Sequence, residues 1–250
     1  MDSSLQAVLA SLALAAVFAL PGGIAPGAEP ARIWSRRRWV SAAAGVSVAY
    51  VFVDVLPELS TLNGLLVEAR GGKDALFAEQ RIYVIVLAAF VVMYGLQHFV
   101  MSSRPNERSG PAREHIDPAY ALQLCGFAAY AALIGYLLVE RAEDGPATLA
   151  TYAAAMAIHF VIVNHSLGEE HEEPYRHWGR WWLAGCVLAG CLFGLAWPLS
   201  EAAFARLFAI LAGGVTMTSL RAELPDDRRG RFWPFCAGAV AYAVLLTTVT

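Results

Sequence analysis

Charge is scarce in this chain, and lysine scarcer still. Asp, Glu, Lys and Arg make up 16% of the 250 residues, and Lys73 is the single lysine beside 17 arginines. No polar block is long enough to build a water-soluble domain, so function has to lie within a membrane or at its faces. The four cysteines, Cys125, Cys186, Cys191 and Cys236, all fall in apolar stretches and form no Cys-x-x-Cys pair. They indicate neither a disulfide framework nor a zinc knuckle and read as small packing residues. Gly-rich phosphate loops, nucleophile elbows and paired catalytic carboxylates are missing too. An enzyme is therefore not the first reading, and a net charge of −3 gives no reason to expect a nucleic-acid partner.

What the chain has in quantity is apolar sequence. Hydrophobic residues account for 58% of it, and the mean hydropathy is +0.50. Eight apolar stretches run nearly end to end, over about 5–20, 39–57, 82–102, 118–139, 148–167, 181–198, 203–222 and 233–249. Each approaches the roughly 17–25 residues that a bilayer-crossing helix needs. The expected fold class is all-α: a polytopic membrane protein of eight transmembrane helices, with residues 1–250 forming one transmembrane domain. Its obligate partner is the lipid bilayer, of a plasma or inner membrane, and a second copy of the chain is left open. Trp34, Trp39, Trp178, Trp181, Trp182, Trp197 and Trp233 sit near span ends, where an amphipathic ring is best placed between headgroups and acyl chains. Small residues such as Ala42, Ala43, Ala44, Gly45, Gly185, Gly190, Gly213 and Gly214 predict closely packed helices.

Arginine sets the expected orientation, because positive charge is retained on the cytoplasmic side during insertion. Thirteen of the Arg residues lie in or beside the first, third, fifth and seventh loops, against Arg70, Lys73, Arg81, Arg141 and Arg206 on the other side. With eight spans, both termini then lie outside the cytoplasm. The first apolar run, followed by Ala25-Pro26-Gly27-Ala28, also admits a reading as a cleaved signal peptide, which would leave seven spans. Asp2, and the lack of Lys or Arg ahead of the run, argue for a retained helix.

An internal repeat adds architecture. Ala44-Gly45 is followed by Val55-Leu56-Pro57-Glu58, and Ala212-Gly213 by Glu223-Leu224-Pro225-Asp226, at a constant offset of 168. The seventh span comes five places after the second, an odd number, so the two copies cross in opposite directions. Inverted repeats of this kind are a building principle of secondary transporters, with the substrate path between the repeats.

Together these features resemble the ZIP (zinc/iron-regulated-transporter-like) metal transporters. That family's second span usually ends His-Leu-Leu-Pro-Glu, and here the corresponding stretch is Asp54-Val55-Leu56-Pro57-Glu58. The resemblance implies a 3+2+3 inverted-repeat architecture with both termini outside, and a function in moving metal or other cations. The family's His-Asn-x-x-Asp-Gly motif aligns best with Tyr130-Ala131-Ala132-Leu133-Ile134-Gly135, and its His-Glu-x-Pro-His-Glu motif with His159-Phe160-Val161-Ile162-Val163-Asn164. Only Gly135 and His159 survive from them, with Asn164 where the last Glu would stand. A dehydrated divalent ion needs several N or O ligands, usually with compensating charge. The family's metal pair cannot be carried over intact.

Candidate path residues are therefore the ionisable or polar groups left at depth, which are costly in a bilayer and often functional. Asp54 and Glu58, one helical turn apart, would form an outer mouth, and His159 with Asn164 the deeper part. At the inner end of the fifth span, His165 and Glu169 share a face at i, i+4, and His171 adds a third ligand type. These three are the metal candidates, and zinc or another divalent cation is the ion they would hold; no resident cofactor is indicated. Three functions remain in view: a divergent transporter, a structural or regulatory membrane protein that keeps the fold, and a zinc-dependent intramembrane hydrolase. The last needs His98, His159 or His165 to converge with Asp54 on an open tetrahedral site.

Overall fold

The computed structural model describes residues 2–20, 30–69, 75–102, 118–170, 174–223 and 232–249. Among these the secondary structure is helical throughout. The elements are α1 (Ser3–Val17), α2 (Pro30–Tyr50), a π-helical turn (Val51–Val55), α3 (Leu56–Ala69), α4 (Ala75–Ser102), α5 (Pro118–Glu143), α6 (Pro146–Glu170), a second π turn (Tyr175–Gly179), α7 (Arg180–Ala196), α8 (Glu201–Glu223) and α9 (Phe232–Val249). Among the described residues, six helical stretches are long and apolar enough to cross a membrane: Arg38–Thr61, Gln80–Phe99, Tyr120–Glu143, Pro146–Glu169, Tyr175–Ala196 and Glu201–Leu220. This is a multi-pass membrane protein. The first and eighth expected spans are helical and apolar but shorter, α1 having 15 residues and α9 having 18.

Local sequence accounts for several boundaries. Helices α2, α5 and α6 open on Pro30, Pro118 and Pro146, where a fixed φ suits the first turn and the missing N–H would have had no intrahelical partner. Between α5 and α6, Gly145 takes φ +123°, a conformation that L side chains rarely adopt. That turn folds the two helices into an antiparallel hairpin.

Leu56-Pro57-Glu58, expected to end the second span, does not end it. The helix runs through Pro57 to Ala69. An interior proline normally removes one i→i−4 bond and collides with the carbonyl four residues back. Here the wider π turn Val51–Val55 comes just before it, with the Leu56 N–H bonding back to the Val51 carbonyl, so Pro57 falls in the first turn of a restarted α-helix.

Packing depends on glycine at three interfaces. Gly135 of α5 rests on the Val187 carbonyl of α7, and Gly190 of α7 on the Ala132 carbonyl of α5. Gly238 of α9 rests on Ala42 of α2, and Gly45 of α2 on the Phe235 carbonyl and Ala239 amide of α9. Gly213 of α8 rests on the Val86 carbonyl and Phe90 amide of α4. Each leaves no room for a Cβ, which lets backbones approach where lipid offers no hydrophobic drive for association. Gly185, in contrast, faces open space.

The core lies along α5, α6 and α8. The face of α8 formed by Ala205, Phe208, Ala212, Val215 and Ser219 is fully buried, as the 3.6-residue period requires of a helix with one face inward. Helix α4 instead turns Tyr83, Val84, Leu87, Val91, Val92 and Phe99 outward, as a lipid-facing helix does.

Candidate functional site

Among the described residues, two groups of polar side chains lie inside the bundle. The first sits where α3, α5, α6 and α8 meet. Arg141, in the last turn of α5, is 3% exposed. Its Nη2 donates to Glu58 Oε2 at 2.5 Å and its Nη1 to Asp144 Oδ2 at 3.2 Å. The guanidinium plane is also wrapped by aromatics, with Cζ 4.5 Å from the Phe208 ring centroid, 5.3 Å from Phe204 and 6.0 Å from Tyr152. Such contacts stabilise a cation taken out of water. Asp54, on the π turn, interacts electrostatically with both Glu58 and Arg141, and Tyr50 lies beside it. The Tyr50 ring is 6.3 Å from those of Tyr152 and Tyr242, and the Tyr242 hydroxyl donates to the Thr151 carbonyl at 3.1 Å.

The expected pair Asp54 and Glu58 is thus brought together, but with a cation between Glu58 and Asp144 that sequence reasoning had assigned to a loop face. The overlooked signal was Arg141 itself. An arginine in the last turn of an apolar span, followed by Glu143 and Asp144, is costly unless it turns inward to a partner.

The second group is centred on His159. Its side chain is fully buried, and neither ring nitrogen has a hydrogen-bond partner. The Tyr130 ring stands edge-on to it at 5.8 Å, and Phe160 lies 6.4 Å away. Tyr130 is itself anchored to α8, its hydroxyl donating to the Leu211 carbonyl at 3.1 Å and its ring lying against Gly214. Ser47 and Ser219 are fully buried, and their hydroxyls, like Gln97 Oε1, also lack partners.

Asn164 does not join His159. Its Nδ2 donates to the Val17 and Leu20 carbonyls at 3.4 and 3.0 Å, and its Oδ1 accepts from the Tyr175 hydroxyl at 2.8 Å. It therefore caps the Leu20 carbonyl just past α1 and adds to a Val17 carbonyl that already accepts from the Leu20 N–H, tying that end of the helix to the start of the sixth span. Phe18 packs against Phe160, ring centroids 4.8 Å apart and planes tilted by 43°.

At the far end of α6, His165 Nε2 and Glu169 Oε1 are 3.6 Å apart, the one-turn neighbours that their spacing predicts. His171 lies outside the described residues, as do Leu224, Pro225 and Asp226 of the second repeat ending. Among the described residues, no three His, Cys, Asp or Glu side chains come together as a metal-holding group.

The arrangement is a carboxylate-rich cluster latched by one guanidinium, with isolated buried polar groups elsewhere in the bundle. No protein-family model matches this chain, and no curated protein matches it either.

Proposed function

We propose that the chain is a divergent ZIP-like transporter of metal or other cations, an eight-helix bundle with 3+2+3 inverted-repeat architecture. In this reading α1, α2 with α3, and α4 form one repeat, α7, α8 and α9 the other, and α5 and α6 lie between them. The observation that carries it is the matched docking of two glycines. Gly45 packs on a carbonyl and on the amide four residues later in α9, and Gly213 on a carbonyl and on the amide four residues later in α4. The second span thus meets the eighth as the seventh meets the third, which an inverted repeat requires. Gly45 and Gly213 are also the positions related by the offset of 168 in the sequence.

Arginine distribution orients the bundle with both termini outside, so the cluster of Asp54, Glu58 and Arg141 faces the outer side. Asp54, Glu58 and Asp144 outnumber the Arg141 guanidinium there, and a net negative mouth raises the local concentration of cations. The path continues past His159, and His165 with Glu169 marks its inner end.

Purified protein in liposomes loaded with a zinc-sensitive dye tests this reading. Uptake of zinc above that of empty liposomes is expected, with loss in Asp54→Asn and Glu58→Gln. If zinc, manganese and cobalt all fail to enter, the structural or regulatory reading stands ahead. It draws support from the same Arg141–Glu58 pair, which ties α5 to α3 across the mouth.

A further inference from the structure

Buried polar groups without partners are rare, because each gives up its hydrogen bonds to water on folding. Here several of them lie on helices that pack against one another. Tyr50 and Ser47 lie one turn apart on α2, and Tyr50 faces Tyr152 of α6. Tyr152 and His159, seven residues apart, occupy one face of α6. His159 meets Tyr130, which meets α8 at Leu211 and Gly214. Ser219 follows on the buried face that α8 shares with Phe208, Ala212 and Val215. Gln97 lies seven residues beyond Phe90, on the face that α4 turns toward Gly213. At about 1.5 Å of rise per residue, Asp54 to Tyr50 and Tyr50 to Ser47 are steps of about 5–6 Å, and Tyr152 to His159 is one of about 10 Å, gaps that a file of hydrogen-bonded waters would span.

We infer that Tyr50, Ser47, His159, Ser219 and Gln97 line a water-carrying proton path through the bundle, from the Asp54–Glu58 mouth to the opposite face, with the His159 imidazole as its central relay. The ligand is water and the proton it carries. One ring nitrogen takes a proton from a hydronium on the mouth side, and the other nitrogen releases its own proton to water on the far side. A ring flip restores the starting tautomer, so one proton crosses and nothing is oxidised or reduced. Imidazole is suited to this because its two distinct nitrogens can accept a proton on one side and release one on the other. The titratable side chain against His159 is Tyr130 from α5, and no charged side chain acts on it electrostatically.

The test measures proton flux in metal-free liposomes, so its outcome is separate from that of zinc uptake. Wild-type protein is reconstituted with a pH-sensitive dye inside, and a potassium gradient with valinomycin supplies the driving potential. Acidification well above that of protein-free liposomes is expected, and it should fall at least about tenfold in His159→Gln, which keeps hydrogen bonding but cannot cycle a proton. Ser47→Ala and Ser219→Ala should each reduce it, while Ser60→Ala on the exposed side of α3 leaves it unchanged. Because His159→Gln could misfold, a wild-type measurement stands beside it: nitrogen NMR of histidine-labelled protein in bilayers should show the His159 ring exchanging with water. Wild-type flux equal to that of empty liposomes, flux undiminished in a folded His159→Gln protein, or a His159 ring shielded from water would each overturn the proposal.

Discussion

Glu58 and Arg141, separated by 83 positions in the chain, meet at 2.5 Å in an ion pair whose arginine side chain is 4% exposed and whose glutamate side chain is 28% exposed. The pair joins α3 to α5, and the same guanidinium lies on Phe208 of α8. Removing one member of such a pair leaves a desolvated charge, which typically costs on the order of 3 kcal/mol. Arg141→Ala and Glu58→Gln should each lower thermal stability in detergent, with Arg141→Ala the worse because it also opens space beside Phe204 and Phe208. Arg141→Met combined with Glu58→Gln should recover much of the loss. A double variant no better than Arg141→Ala would show that the aromatic contacts, rather than the ion pair, dominate.

Gly45→Ala and Gly213→Ala should both be destabilising, since each added methyl meets backbone rather than a movable side chain. Overpacking of this kind costs about 1–3 kcal/mol. Gly185→Ala, in open space on α7, is the control and should be neutral or slightly stabilising, by roughly 0.5–1 kcal/mol from helix propensity. Melting curves in one detergent compare all three.

Asn164→Ala should loosen α1 selectively. The Leu20 carbonyl and the Tyr175 hydroxyl lose their partner, while the Val17 carbonyl keeps the Leu20 N–H, at about 1–3 kcal/mol for the groups left buried. Hydrogen exchange should rise in the last turn of α1 while α8 stays protected. Asn164→Asp should be no rescue, since a carboxylate accepts from Tyr175 but cannot donate to Val17 and Leu20.

The proposed orientation puts positions 36 and 229 on one face of the membrane. Cysteines introduced there, on a background with the four native cysteines replaced, should react with an impermeant maleimide only from the cytoplasmic side. Labelling from opposite sides would remove an odd number of spans between them and sink the inverted-repeat reading.

Metal bound at the inner end of α6 should depend on His165 and should weaken below roughly pH 6, because an imidazole must be deprotonated to ligate. Stoichiometry on purified wild-type, His159→Ala and His165→Ala proteins checks this. Loss only in His165→Ala identifies a surface site, whereas loss in His159→Ala identifies one on the path.

Much of the architecture was legible in the residues because a bilayer imposes a one-dimensional rule. A helix that satisfies its own backbone must be about 20 apolar residues long to cross, and the starts and ends of α5, α6, α7 and α8 follow the apolar stretches to within a few positions. Periodicity placed Asp54 near Glu58 and His165 near Glu169, since i, i+4 neighbours need no tertiary information. The continuation of the helix through Pro57 was not legible, because a π turn is a choice of hydrogen-bond register rather than of composition. Nor was the role of Arg141: a charged residue at a span end can extend toward the headgroups or turn inward, and only the positions of Glu58, Phe204 and Phe208 on other helices decide between them. The same holds for Asn164 and His159. Both are polar residues at depth on α6, five positions apart, yet one is spent on the carbonyls of α1 and the other is left without a partner. That difference arises from which helix packs against each face, which sequence periodicity does not encode and tertiary packing does.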